Sequence, residues 1–165
     1  LEELLVSTQE RFNEKGYRVD RDFPAAAPAI LADPDQIKEV FWNIFLNAVQ
    51  SMPAGGTITI RIAIEKGQEI IDEAMIPLKG LTHQHPDYLM VSVMDKGCGI
   101  NDEQIQKILD PFISFRDNGI GLGLSIVSQI VKSHKGQIRI KSTPGKGTRF
   151  KLLFPLMQQE NQGNR

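Results

Sequence analysis

Residues 119–124 read Gly-Ile-Gly-Leu-Gly-Leu and open directly onto a run of helical period, Leu122 to about Lys135. In that run Ile126, Val127, Ile130 and Val131 face inward, and Gly136 serves as the stop. Glycines at alternate positions ahead of a helix leave backbone amides bare at the positive end of the helix dipole, an anion site suited to phosphates. The spacing excludes two other phosphate loops. There is no Gly-Lys-Ser/Thr, so it is not a Walker loop. It lacks the six-residue Rossmann spacing and follows a loop rather than a strand, which disfavours a dinucleotide fold. The preceding Asp110-Pro111-Phe112-Ile113-Ser114-Phe115-Arg116 offers aromatic cover and one cation, or else an ordinary surface loop with a buried Phe anchor.

Working outward, Leu1, Leu4, Leu5, Thr8 and Phe12 recur at helical spacing, which gives a first helix over residues 1–16. Tyr17, Val19, Arg21 and Phe23 alternate as a strand that ends at Pro24, and Ala29–Ala32 reads as a short apolar strand. Asp33-Pro34-Asp35-Gln36 is a helix start, with Asp as N-cap, Pro in the first turn and Gln three residues after the cap. This helix runs to about Met52, ahead of Pro53, Gly55 and Gly56. Thr57–Ile64 alternates, with Ile58, Ile60, Ile62 and Ile64 on one face, and Leu89–Met94 is a further strand. Residues 66–88 between them form a long loop or hairpin extension. Asn101 caps a short helix through Leu109, and Gln137–Ser142 pairs with Thr148–Phe154 around Pro144-Gly145-Lys146-Gly147. The fold class is therefore α/β (α+β), a two-layer sandwich. A mixed, largely antiparallel sheet of about five strands is covered on one face by about three helices. Residues 1–157 form one domain, and 158–165 form a polar tail.

Two further sites carry chemistry. Between Val40 and Val49 the long helix is apolar except for Asn43 and Asn47, whose carboxamides project from one face one turn apart. A desolvated amide without partners is costly. Two readings fit: a buried pair bonding a neighbouring loop, or oxygen ligands facing a hydrated Mg²⁺, which keeps waters and takes few protein oxygens. The other site is Asp95-Lys96-Gly97-Cys98-Gly99-Ile100, at the end of an apolar strand. Its glycines let the backbone turn sharply and approach a ligand closely. Asp95 either caps this turn or accepts from a ligand donor such as the adenine amino group. Guanine presents an oxygen there, so the same carboxylate rejects it.

Composition narrows the classes. The 165 residues are 41% hydrophobic and 24% charged, which excludes global disorder, collagen and coiled coil. No run approaches the roughly 18 apolar residues of a membrane span, and Leu1 opens no signal peptide. The single Cys98 excludes an internal disulfide framework, and it reads as a small filler between two glycines. A net charge of −1 argues against nucleic acid as a partner. The charge is uneven: residues 132–151 hold seven of the nineteen Lys and Arg and no acid. Charged side chains on an edge strand and a helix end explain this better than a docking patch for an acidic partner. His83 and His85 lie in a loop context without a third metal ligand, and His134 ends a helix.

The order of these boxes is more specific than any one of them. Asn-x₃-Asn on a helix, Asp-x-Gly-x-Gly after a strand, Pro-Phe, then Gly-x-Gly-x-Gly into a helix resembles the catalytic ATP-binding domain of sensor histidine kinases. That domain belongs to the wider group shared with gyrase, heat-shock chaperones and the mismatch-repair ATPase. The resemblance covers about Asp33 to Phe154 and implies a Bergerat-type ATP-binding fold. It implies ATP and Mg²⁺ as cofactors, with Asn47 on the metal and Asn43 helping directly or through water. Asp95 holds the adenine amino group, with Gly97, Gly99 and Ile100 beside the base and Ser51 nearby. Residues 110–122 form an ATP lid carrying Phe112, Arg116 and Gly119, while Gly121, Leu122, Gly123 and Leu124 give the phosphate-binding amides. Thr148 lines the adenine pocket. Catalysis falls to Asn43, Asn47 and Arg116. Where many members carry a Lys and an aromatic after the second Asn, this chain has Gln50 and Ser51, as in nitrogen-regulation and sporulation-type kinases.

The implied function is phosphoryl transfer from ATP to a histidine on a separate dimerisation and histidine-phosphotransfer domain, with a response regulator downstream. The setting is cytoplasmic, with no membrane contact from this fragment, whether the parent protein is soluble or membrane-anchored. The alternatives are a non-catalytic adenine-nucleotide sensor that regulates a partner, and an ATPase of the gyrase or chaperone type. The latter needs a Glu where Asn43 stands, because an Asn cannot take a proton from water.

Overall fold

A computed structural model describes residues 12–25, 29–67, 87–113 and 121–156. Along the chain run β1 (Tyr17–Asp22), α1 (Pro34–Ser51), β2 (Gly56–Glu65), β3 (Tyr88–Met94), α2 (Asp102–Lys107), α3 (Gly123–Ser133), β4 (Gln137–Thr143) and β5 (Gly147–Pro155). The five strands form one sheet in the order β1-β2-β3-β5-β4. β1 pairs with β2 in parallel, and the other three pairings are antiparallel.

The core lies between one sheet face and two helices. Val40, Phe41, Ile44, Phe45 and Ala48 of α1 pack with Leu124, Val127, Ile130 and Val131 of α3. Opposite them stand Ile58 and Ile60 of β2, Val91 and Val93 of β3, and Phe150, Leu152 and Phe154 of β5. The two-residue period of a strand decides where the site falls. Val91, Val93 and Asp95 share one face, and Thr148, Phe150 and Leu152 share the facing row. Leaving the core, the register therefore delivers one carboxylate and one hydroxyl to the end of the helix-covered face. On the other face Met90 and Leu153 form a small second cluster with Ala63 and Tyr88.

Both ends of α1 are fixed by polar contacts. Asp33 caps the first turn, its Oδ1 accepting from Asp35 N at 2.9 Å and Gln36 N at 3.3 Å. His134, just past α3, accepts from the backbone N–H of Asp33 at 3.0 Å through Nε2, while Nδ1 meets Ile130 O at 2.8 Å. At the far end the buried Tyr17 hydroxyl reaches Met52 O at 2.9 Å, which ties β1 to the last turn of α1.

Several expectations need correction. Residues 29–33 are not a strand: Ile30 packs on the core but Leu31 is 80% exposed, so this run anchors the chain ahead of the helix cap. Of the four alternating isoleucines, Ile58 and Ile60 are fully buried whereas Ile64 is 51% exposed, because β2 outruns the helical layer. Trp42 and Leu46 of α1, read as part of an all-round apolar helix, are each 42% exposed. Residues 12–14 are helical and 15–16 form a turn, while residues 1–11 of the first helix, residues 68–86 and the tail lie outside the described residues, as do His83 and His85.

Candidate functional site

A cavity of about 570 Å³ opens between α1, α3 and the ends of β3 and β5. Asn43, Asn47 and Ser51 lie along one side, Asp95, Gly99 and Thr148 at the sheet end, and Gly121 to Leu124 opposite.

At the sheet end Asp95 is 4% exposed. Its Oδ1 accepts from Gly97 N at 2.8 Å, Ser51 Oγ at 3.1 Å and Thr148 N at 3.3 Å. Oδ2 accepts from none of the described residues. Among them, however, no fully buried side-chain polar atom is left without a partner, so Oδ2 faces the cavity. The turn-capping reading and the ligand-acceptor reading are thus both realised, one by each oxygen. Backbone proximity enforces this loop. A Cβ on Gly97 would lie 2.1 Å from Ser51 Oγ, and one on Gly99 (φ +66°) would lie 2.2 Å from Thr143 O. Ser142 ties the rest together, accepting from Ile100 N at 2.9 Å and donating to Gly147 O at 2.8 Å. That leaves the Thr148 hydroxyl to donate to Ser142 Oγ at 2.9 Å.

Along α1, the Asn43 Nδ2 donates to Glu39 O and the Asn47 Nδ2 to Asn43 O, each at 2.9 Å. The amide nitrogens are held by the helix's own preceding turn. Asn43 Oδ1 stands against the first residue of α3, 2.8 Å from where a Gly123 Cβ would sit. The first turn of α3 has no side-chain cap, with Leu122 at the N-cap position. A missing cap costs about 1 kcal/mol. The buried Leu124, Val127, Ile130 and Val131 offset this several times over at roughly 1.5–3 kcal/mol each. Among the described residues no side chain caps this turn, and Leu122, Gly123 and Leu124 line the cavity. Gly121 (φ +74°) packs against the Ile113 backbone and accepts from Phe112 N at 3.1 Å, so the flanks of residues 114–120 meet. The cavity suits a ligand with a hydrogen-bond donor at one end and anionic groups at the other.

The family described as histidine kinase-, DNA gyrase B- and HSP90-like ATPase matches residues 32–158. The chain belongs to this family. Sporulation kinase E of Bacillus subtilis (strain 168) is 31% identical over 135 residues, which are 82% of this chain and 16% of that protein. The signal transduction histidine-protein kinase AtoS of Escherichia coli (strain K12) is 37% identical over 134 residues, 81% of this chain and 19% of that protein. The sensory histidine kinase/phosphatase NtrB of Rhodobacter capsulatus is 33% identical over 145 residues, 84% and 37% of the two chains. The chain thus spans only 16% to 37% of the length of these three relatives. Among solved structures, the catalytic domain of histidine kinase ThkA superposes with a TM-score of 0.71 at 25% identity, covering 93% of this chain and 88% of that one. Full-length ShkA in complex with AMPPNP gives 0.71 at 24%, covering 93% of this chain and 28% of that one. The layered sheet and helices are therefore those of histidine kinase ATP-binding domains.

Of the residues expected at the site of this family, Asn43, Asn47, Ser51, Asp95, Gly99, Ile100, Gly121, Leu122, Gly123, Leu124 and Thr148 line the cavity. Gly97 backs Ser51 from behind. Phe112 is different: it is 76% exposed at φ 63° and is not among the lining residues, so it is not a buried anchor. Arg116 and Gly119 lie outside the described residues. Cys98 is exposed and lines the cavity, which corrects its reading as filler, because the flanking turn directs it outward. Sequence reasoning missed Leu46, Gln50, Gln104, Ile108, Ile113, Ile126 and Phe150 as lining residues. Their signal was available only as ordinary apolar and polar positions on elements already assigned.

Proposed function

We propose that the chain is the ATP–Mg²⁺-binding catalytic domain of a sensor histidine kinase and passes the γ-phosphoryl group to a histidine on a separate dimerisation domain. The observation that carries this is the outward-facing Oδ2 of a buried Asp95, set in the same cavity as the uncapped first turn of α3. Asp95 accepts from the adenine amino group, and the Thr148 hydroxyl closes that end. The amides at Gly121 to Leu124 and the dipole of α3 hold the phosphates. Arg116 and Gly119 complete the phosphate end in this reading, with residues 110–122 as the lid.

The donor set fits Mg²⁺. Among the described residues no group of three or more His, Cys, Asp or Glu could hold a metal by itself. Neutral carboxamide oxygens beside a phosphate site match an ion that keeps its waters and shares ligands with phosphate. Asn47, with Asn43 one turn earlier, would hold it, and when bound it neutralises charge developing on the transferred group. Asn43 also decides between reaction classes. No carboxylate stands at that place to take a proton from water, whereas a neutral histidine nitrogen already presents its lone pair. Transfer then rests on positioning and charge neutralisation. A response regulator as the downstream partner follows from the same reading. Among the described residues no helix is long and apolar enough to cross a membrane.

Competition titrations test the nucleotide assignment. ATP is expected to bind with Mg²⁺ present and GTP to compete weakly. Equal affinity for the two nucleotides would remove the role given to Asp95.

A further inference from the structure

Asn43, Asn47 and Ser51 stand at i, i+4 and i+8, one polar stripe along the cavity face of α1. The stripe spans about 12 Å at 1.5 Å per residue. Its first two members face the phosphate end, and the third touches Asp95. We infer that Ser51 is a positioning residue for base recognition: its hydroxyl fixes the Asp95 carboxylate so that Oδ2 meets the exocyclic amino group of adenine. This inference rests on the reading of Asp95 as the partner of adenine.

The hydroxyl has one proton and two acceptors in reach, Ala48 O at 2.7 Å and Asp95 Oδ1 at 3.1 Å. A proton directed wholly at Ala48 would leave an oxygen lone pair facing an ionised carboxylate. The Ala48 contact is the shorter, so the proton is shared between the two acceptors, and the share that falls on the carboxylate is charge-assisted. Three donors then converge on Oδ1, and rotation about the carboxyl bond would break all of them. The hydroxyl itself has no room to move. Cys98 N–H donates to Ser51 O at 3.1 Å, and Gly97 leaves no space for a side chain behind Oγ. Base selection is thereby built onto the same rigid helix as Asn43 and Asn47.

The test titrates the full chain with ATP and with purine riboside 5′-triphosphate, which lacks the 6-amino group, each with Mg²⁺, for the wild type, Ser51→Ala and Asp95→Asn. The wild type should prefer ATP by about tenfold or more. Ser51→Ala should weaken ATP by roughly three- to tenfold and leave the analogue unchanged, so the ratio narrows. Ala is the better helix former, and retained analogue binding reports a folded variant. Equal loss for both ligands, or no loss for ATP, overturns the positioning role. If Asp95→Asn leaves the wild-type ratio intact, the reading of Asp95 itself fails. If Asp95→Asn collapses the ratio and Ser51→Ala does not, only the inference about Ser51 fails.

Discussion

Asn43 Oδ1 occupies the space that a side chain at Gly123 would need: a Cβ there would lie 2.8 Å from the oxygen. A carboxamide on α1 and the first residue of α3 are thus one steric unit, although eighty positions separate them in sequence. Gly123→Ala should therefore act in opposite senses on fold and function. Ala in a helix is favoured over Gly by roughly 0.5–1 kcal/mol, so thermal stability should hold or rise. The displaced Asn43 should nevertheless weaken Mg²⁺-dependent nucleotide binding. Melting curves and titrations on one preparation separate the two effects.

Asn47→Ala should damage binding on the order of tenfold with Mg²⁺ present and much less in EDTA. Equal loss in both conditions would contradict a metal-ligand role for Asn47. Isothermal titration of ATP in the two buffers provides the comparison.

Two glycines of one hairpin separate backbone strain from crowding. Gly145 has φ +74° with nothing near its missing Cβ, whereas a Cβ on Gly147 (φ +103°) would lie 2.1 Å from Asp95 O. Gly145→Ala should cost only the conformational penalty, about 1–2 kcal/mol. Gly147→Ala should cost roughly 1–3 kcal/mol more from overpacking, and it should also disturb the Asp95 loop. Urea denaturation of the two variants measures the difference.

Much of this was legible in the sequence because the relevant signals are local. Asp33-Pro34-Asp35-Gln36 started α1 where its cap lies, and the alternation of Val91 and Val93 delivered Asp95 to the helix-covered face. What was not legible depends on partners distant in sequence. Periodicity does not tell how far the helical layer reaches over β2, so Ile64 was expected inside and is exposed. Nor does it show that Ala29–Ala32 has no strand to pair with. Cys98 between its glycines and Phe112 beside its proline take their directions from turns whose dihedral angles composition does not fix. At the site the residue types were readable, but the division of labour between the two oxygens of Asp95 required the register of β3 on β5.

The central claim is transfer to a histidine in trans, and following the label from γ-labelled ATP tests it most directly. The chain is incubated with Mg²⁺ and labelled ATP, alone and with a separately produced phosphoacceptor domain of a histidine kinase from the same family. The predicted result is acid-labile, base-stable label on the acceptor domain, with little label on the chain and little free phosphate when the acceptor is left out. Label accumulating on the chain itself, or steady phosphate release without any acceptor, would contradict the account.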